Sequence, residues 1–183
     1  MIAPGPGILL IAEPFLKDPN FMRTVVLLCE HQEEGSFGFV INRKYEFRLN
    51  ELMNDMDDID LPIYYGGPVR KDSLHFLHQY PDLIPEGQPI DKDIYWGGDF
   101  EEAIRLLREG RIHPEHIRFY IGYSGWSQGQ LDDELKQQSW LTVKANRKIV
   151  FEPEEDNIWK EALHLLGGDY EQLVNYPIDP QLN

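Results

Sequence analysis

The chain has 183 residues and a mass of 21.4 kDa, about 1.2 times the ~150-residue prior for one domain, so residues 1–183 are expected to form a single one. Hydrophobic residues at 42% and aromatic residues at 12% exclude wholesale disorder, and a chain of this length buries about 70% of its unfolded surface without a disulfide or structural metal. Thirty-two acidic residues against 17 basic ones give a net charge of −15, which repels a phosphate backbone and disfavours direct nucleic-acid binding.

In chain order, Ile8–Ala12 and Thr24–Cys29 are short runs of Ile, Val and Leu bounded by Pro, Gly and Asp, and read as buried strands. Pro14 and Pro19 make the intervening segment a loop, with a turn at Asp18-Pro19. Phe37–Asn42 is a third strand, forming a hairpin with Cys29–His31. Leu49–Met56 reads as a short helix that Pro62 prevents from continuing. Ile63–Tyr65, Leu74–His78, Asp93–Trp96 and Ile117–Gly122 are further strands. Phe100–Glu109 carries the clearest helix signals: Asp99 as cap, Glu102 as capping-box partner and Gly110 as stop. Gly129–Gln138 and Asn157–Leu166 are two more helices, the latter stopped by Gly167, while Trp140–Ala145 and Ile149–Phe151 resemble a terminal hairpin. Most strand-to-strand links lack a helical crossover, so the fold class is α+β with a largely antiparallel sheet and about three flanking helices. Ile63-Tyr-Tyr-Gly-Gly and Ile94-Tyr-Trp-Gly-Gly share a pattern that reads as one local geometry used twice, a strand ending in a Gly-Gly bend.

Charge is unevenly spread: residues 1–50 carry a net −1, residues 51–110 a net −9 and residues 111–183 a net −5. A basic patch is available only around Arg23, Arg43, Lys44 and Arg48. Cys29 is the sole cysteine, so no intrachain disulfide forms. The first residues lack a basic leader region and no window holds 18 uninterrupted apolar residues, so a cytoplasmic protein with no membrane segment is expected.

Several segments invite a chemical reading. Gly122-Tyr-Ser-Gly-Trp-Ser-Gln-Gly129 has a serine between glycines, but Trp126 occupies the small-residue position a nucleophile elbow needs, so a tight strand-to-helix turn is expected. His75-x-x-His78 on a strand puts its rings on opposite faces, and His113-x-x-His116 brackets a proline, so no metal set is expected. Asp55, Asp57, Asp58 and Asp60 lack calcium-loop spacing and read as a solvated turn. No nucleotide or other cofactor fingerprint is present. Cys29 reads as a small core residue, with His31 on its face by the period of two. Arg23 can clamp an anion bidentately or tie down the Asp18 loop, and the loop is the expected use. Asn42 is a polar residue at the edge of an apolar strand.

Taken together, Gly7-Ile-Leu-Leu-Ile-Ala, Pro14, Asp18-Pro-Asn-Phe-Met-Arg-Thr-Val-Val, Glu30-His31, Gly38-Phe-Val-Ile-Asn42, Tyr65-Gly-Gly-Pro-Val69, Gly122–Leu131, Glu134 and Trp140 resemble the YqgE/AlgH family of bacterial proteins. The resemblance spans nearly the whole chain. It implies one α+β domain whose branched, strongly bent sheet forms a pseudo-barrel, in a bacterial cytosol. One branch of the family is named for regulation of alginate synthesis and described as a transcriptional regulator, but the resemblance implies no particular reaction. The family often has alanine where this chain has Ser124, in line with a structural serine.

The leading expectation is a non-enzymatic regulatory or binding protein acting through a protein partner or a small ligand, so that any transcriptional effect is indirect. Its contact surface is expected where the Asp18–Arg23 loop meets the Tyr123–Gln130 turn, with Tyr123 and Trp126 exposed as anchors. The candidate residues are Asp18, Arg23, His31, Asn42, Tyr123, Trp126 and Gln130. The alternative is a hydrolase-type enzyme using His31 or His78 with a nearby carboxylate. A third reading, nucleic-acid binding, needs the four basic residues of the first 50 on one face.

Overall fold

A computed structural model describes residues 1–175. Ten strands are joined in one sheet: β1 (Ile8–Ala12), β2 (Val25–Gln32), β3 (Gly35–Val40), β4 (Lys44–Arg48), β5 (Pro62–Tyr65), β6 (Val69–His78), β7 (Gln88–Asp91), β8 (Ile94–Trp96), β9 (Ile117–Ser127) and β10 (Trp140–Lys144). The hydrogen-bonded order is β10-β1-β2-β3-β9-β6-β8-β7, antiparallel throughout. β9 is the branch point. One edge pairs with β6, while the other takes β5 in parallel over Phe119–Ile121 and β3 antiparallel over Ser124–Ser127. β4 hangs on β5. The sheet is therefore mixed, curled and branched, as the sequence resemblance implies.

The curl follows from glycines inside strands rather than at their ends. Gly122, expected to end its strand, lies within β9 at φ +69. A Cβ there would sit 2.4 Å from the Gly67 carbonyl, so only glycine lets the two chains approach and β9 bend. The expected strand-to-helix turn at 122–129 is consequently strand as far as Ser127.

Five α-helical segments flank the sheet: α1 (Leu49–Leu52), α2 (Phe100–Arg108), α3 (Gln130–Lys136), α4 (Arg147–Val150) and α5 (Glu155–Leu166). α2 starts as expected, with Asp99 Oδ1 accepting from the Glu102 N–H at 3.1 Å. The Glu102 carboxylate turns to Arg105 instead of closing a capping box. Gly110 and Gly167 take the positive φ predicted for helix stops. Two expectations need correction. Leu49–Met56 yields only the four residues of α1. Ile149–Phe151 is not a hairpin strand: Asn146 Oδ1 accepts from the Ile149 N–H at 3.0 Å and starts α4, while β10 pairs with β1. β4 and β7, both exposed edge strands, were absent from the sequence pattern.

Alternation along the strands splits the core in two. Leu9, Ile11, Leu27, Phe39 and Tyr120 pack inside the curl against α5, whereas Leu10, Val26, Leu28, Val40, Trp126 and Trp140 pack outside it against α3. A third cluster lies under α2, around Phe76, Phe119 and Leu106. Among the described residues, no helix is long and apolar enough to cross a membrane.

Candidate functional site: an aromatic groove on the inner face

Four neighbouring strands each present one ring to the inner face: Phe37 from β3, Tyr123 from β9, His75 from β6 and Trp96 from β8. Their centroids close a circuit of 5.9 Å (Phe37–Tyr123), 6.0 Å (Tyr123–His75), 6.4 Å (His75–Trp96) and 4.7 Å (Trp96–Phe37). In a flat sheet β3 and β8, three strand steps apart, would be separated by roughly 14 Å. Curling is what brings Phe37 against Trp96. All four rings remain half-buried although Phe39 beneath them is sealed.

Two cavities adjoin at His75 and Trp96, one of about 430 Å³ and one of about 610 Å³, within the ~300–1,000 Å³ range of small-molecule sites. Glu86 and Gln88 line the first; Glu30, Gln32 and Glu34 line the second. Among the described residues no Lys or Arg lines either one. Glu86 is held at φ +69, in a turn pressed against Gly98, where a Cβ would lie 2.5 Å from the Pro85 carbonyl. A non-glycine residue in left-handed backbone at a cavity mouth marks a position that the surrounding structure enforces.

The protonation of His75 follows from its partner. The Ser73 hydroxyl donates its proton to the Arg70 carbonyl at 2.8 Å, so at 3.1 Å it accepts from His75 Nε2–H. Nδ1 keeps its lone pair as an acceptor. Burial lowers the His75 pKa from the ordinary imidazole value, which keeps the ring neutral at pH 7.

The residues singled out from sequence are distributed over both faces. Tyr123 is part of the groove. Trp126 is not an exposed anchor: three residues on, across the pleat, it is 5% exposed on the outer face. Its indole N–H donates to Glu134 Oε1 at 3.2 Å, and that of Trp140 donates to the same oxygen at 2.9 Å. The Asp18–Arg23 loop does reach this spot, through Phe21, whose ring lies 6.2 Å from Trp126 and 5.5 Å from Trp140. Asp18 builds the loop itself, accepting from the Asn20 N–H at 2.8 Å. Asn42 closes it, donating to the Arg23 carbonyl and accepting from the Val25 N–H, both at 2.9 Å. Gln130 Oε1 accepts from the Ser127 N–H at 3.0 Å and shapes the turn into α3.

Arg23, expected to tie the loop down, places its guanidinium 4.7 Å from the Trp159 ring centroid. Arg43 holds the loop, donating to the carbonyls of Pro19, Asn20 and Met22 at 2.7–3.2 Å. Lys44 pairs with Glu155 and Arg48 with Asp60, so each of the four basic residues has a partner within the chain.

His31 departs from its expected place as well. A bulge lies between Leu28 and Glu30 in the pairing with β3, so the period of two breaks at Cys29. Cys29 stays in the inner core, where burial, with Glu30 adding to it, pushes its thiol pKa far up. His31 turns to the opposite face: Nδ1 lies 2.6 Å from Ser36 Oγ and Nε2 3.8 Å from Asp132 Oδ1. His78 is fully buried, donating from Nε2 to the Gly97 carbonyl at 2.9 Å and accepting at Nδ1 from the Tyr80 N–H at 3.1 Å. Ser124 is buried and donates to the Gly66 carbonyl at 3.1 Å. Among the described residues, no group of three or more His, Cys, Asp or Glu is arranged to hold a metal ion.

The AlgH-like family pattern matches residues 9–171. The chain belongs to the AlgH-like family. A UPF0301 protein of Chlorobaculum parvum is 44% identical over 177 residues, covering 97% of this chain and 95% of the relative. A UPF0301 protein of Cytophaga hutchinsonii is 42% identical over 178 residues, covering 97% and 98%. The solution structure of the AlgH protein from Pseudomonas aeruginosa superimposes with a TM-score of 0.72 at 30% identity over 97% of this chain and 98% of that one. A crystal structure from Corynebacterium diphtheriae gives 0.77 at 19% identity over 96% and 94%, a likeness of fold alone. In this AlgH-like chain, sequence reasoning passed over Phe37, Trp96 and Glu86. The available signal was weak: an aromatic residue before each of two glycine-containing bends, and strand residues whose facing partners are distant in sequence.

Proposed function

We propose that this AlgH-like protein is a non-enzymatic binding protein whose ligand enters the inner-face groove, and that any regulatory effect on transcription is indirect. One observation carries the reading: four half-buried rings, one from each of four adjacent strands, line two adjoining cavities. Rings of this size are normally buried, and leaving them open costs apolar burial that a ligand restores. Indirect action is supported by the internal partners of Arg23, Arg43, Lys44 and Arg48.

The test is to incubate the purified chain with a bacterial small-molecule extract, desalt it, and read bound mass by native mass spectrometry. A species retained by the wild type and lost by Trp96→Ala is expected. Identical retention by both proteins overturns the groove as the site.

A second reading, a hydrolase-type enzyme, is favoured by the position of His31 between Ser36 and Asp132. His78 does not support it, because both ring nitrogens engage backbone. The enzyme reading expects a fluorophosphonate to label Ser36, with labelling lost in His31→Ala; an unlabelled wild type removes it.

A further inference from the structure

We infer that the groove takes a linear polyamine-type ligand, with an ammonium group at each acidic mouth and its methylene chain lying across the rings. The inference rests on the groove being the ligand site and adds the chemistry of what fills it.

The arrangement of charge along the groove carries the argument. Glu86 lines one cavity and Glu30 and Glu34 the other, with His75 and Trp96 shared between them. The sequence of surfaces is therefore acid, aromatic, acid. Among the described residues none of these three carboxylates is in an ion pair, and no Lys or Arg lines either cavity to supply one. Lys71, on β6, is turned over the Tyr65 ring at 5.9 Å. An anionic ligand would meet carboxylates at both ends. A neutral apolar ligand would leave all three carboxylates without a counter-charge. A monocation would satisfy one mouth and leave the other. An ammonium group offers three donors and no acceptor, which suits the carboxylates, the side-chain carbonyls of Gln32 and Gln88, and the Nδ1 lone pair of His75. Methylenes pack on aromatic faces, and each charged end gains from ring quadrupoles within about 6 Å. The neutral state of His75 places no positive charge against the ligand.

Trp96 is the half-buried tryptophan of the groove, whereas Trp126, Trp140 and Trp159 are buried, and the fluorescence change is assigned to it by its loss in Trp96→Phe. The full chain is titrated with spermidine, and separately with hexylamine as a monoamine of similar reach, by tryptophan fluorescence and calorimetry at low and high salt. Spermidine is expected to bind about tenfold or more tightly than hexylamine, since two charge contacts replace one. Glu86→Gln and Glu34→Gln should each weaken it about five- to tenfold. Tyr123→Leu, which leaves the net charge unchanged, should weaken it to a similar degree.

Equal affinity for the monoamine would mean that no second charge contact is made, and indifference to Tyr123→Leu would mean diffuse attraction to an acidic surface; either result overturns the inference. An oligolysine peptide that binds far more tightly than spermidine through the same residues reassigns the groove to a basic protein tail and overturns it too. A neutral or anionic extract component that perturbs Trp96 when spermidine does not defeats the polyamine while sparing the groove. If no compound of any charge perturbs Trp96, both fall together.

Discussion

The two faces of the sheet are built from the same materials and use them differently. On the outer face Trp126, Trp140 and Phe21 pack together, and Glu134 accepts from both indoles, so both indole N–H groups are satisfied and both rings are buried. On the inner face Phe37, Trp96, His75 and Tyr123 also pack together, yet they stay only half-buried, and among the described residues the nearby Glu30, Glu34 and Glu86 are in no ion pair. Aromatic residues beside glutamate therefore do not by themselves mark a binding site. What separates scaffold from site is whether burial and hydrogen bonding are already complete.

The sharpest way to break this comparison is to damage each face and ask what is lost. Trp126→Ala should lower stability by about 3–5 kcal/mol, the cost of removing a fully packed indole, measured by urea unfolding. Glu134→Ala leaves two buried indole donors unpaired and should cost about 2–4 kcal/mol, with Glu134→Gln restoring part of it. Neither change should alter the ligand selectivity of the fraction that remains folded. On the inner face Trp96→Leu should cost less, about 1–2 kcal/mol, because the ring is only half-buried and an apolar group remains. If Trp96→Leu destabilises as much as Trp126→Ala, the groove is part of the scaffold and the distinction fails.

Acidification tests the inner face in a second way. Burial lowers the pKa of His75 and, despite its bond to Gly97, of His78. Between the lowered folded values and the unfolded value near 6.5, the unfolded chain binds more protons than the folded one. Stability should therefore hold above about pH 6.5 and fall below it, by up to about 1.4 kcal/mol per pH unit for each histidine. Unfolding curves at pH 7.5 and 5.5 measure this, and a slope of opposite sign would contradict the neutral assignment of both rings. The smallest effect concerns Cys29: its thiol should react with a disulfide reagent only as fast as the protein opens, and at the rate of a free thiol once urea unfolds it.

Much of this was readable before the fold. The apolar runs of β1 and β2, the Asp99 cap and the glycine stops of α2 and α5 are local, because each depends on residues a few positions apart. The acidic balance and the single buried cysteine were likewise plain. The candidate site was legible in one residue, Tyr123, and misread in Trp126, since a motif written on one line of sequence alternates between two faces. His31 was misplaced by a bulge at Cys29, a one-residue insertion in pairing that no local pattern announces. The hold of Arg43 on the Asp18 loop went unread, because its partners Pro19, Asn20 and Met22 lie more than 20 positions away in sequence.

The sequence alone determined the kind of chain this is: an acidic α+β protein of short buried strands, with helix boundaries set by caps and glycines. Tertiary structure decided where its chemistry lies. Phe37 and Trp96 stand 59 positions apart and on strands three steps apart. Only the branching at β9 and the bend at Gly122 bring their rings to 4.7 Å, with acidic mouths on either side. Proximity of that kind is a property of curvature, and curvature arises from the pairing of the whole sheet rather than from any one segment.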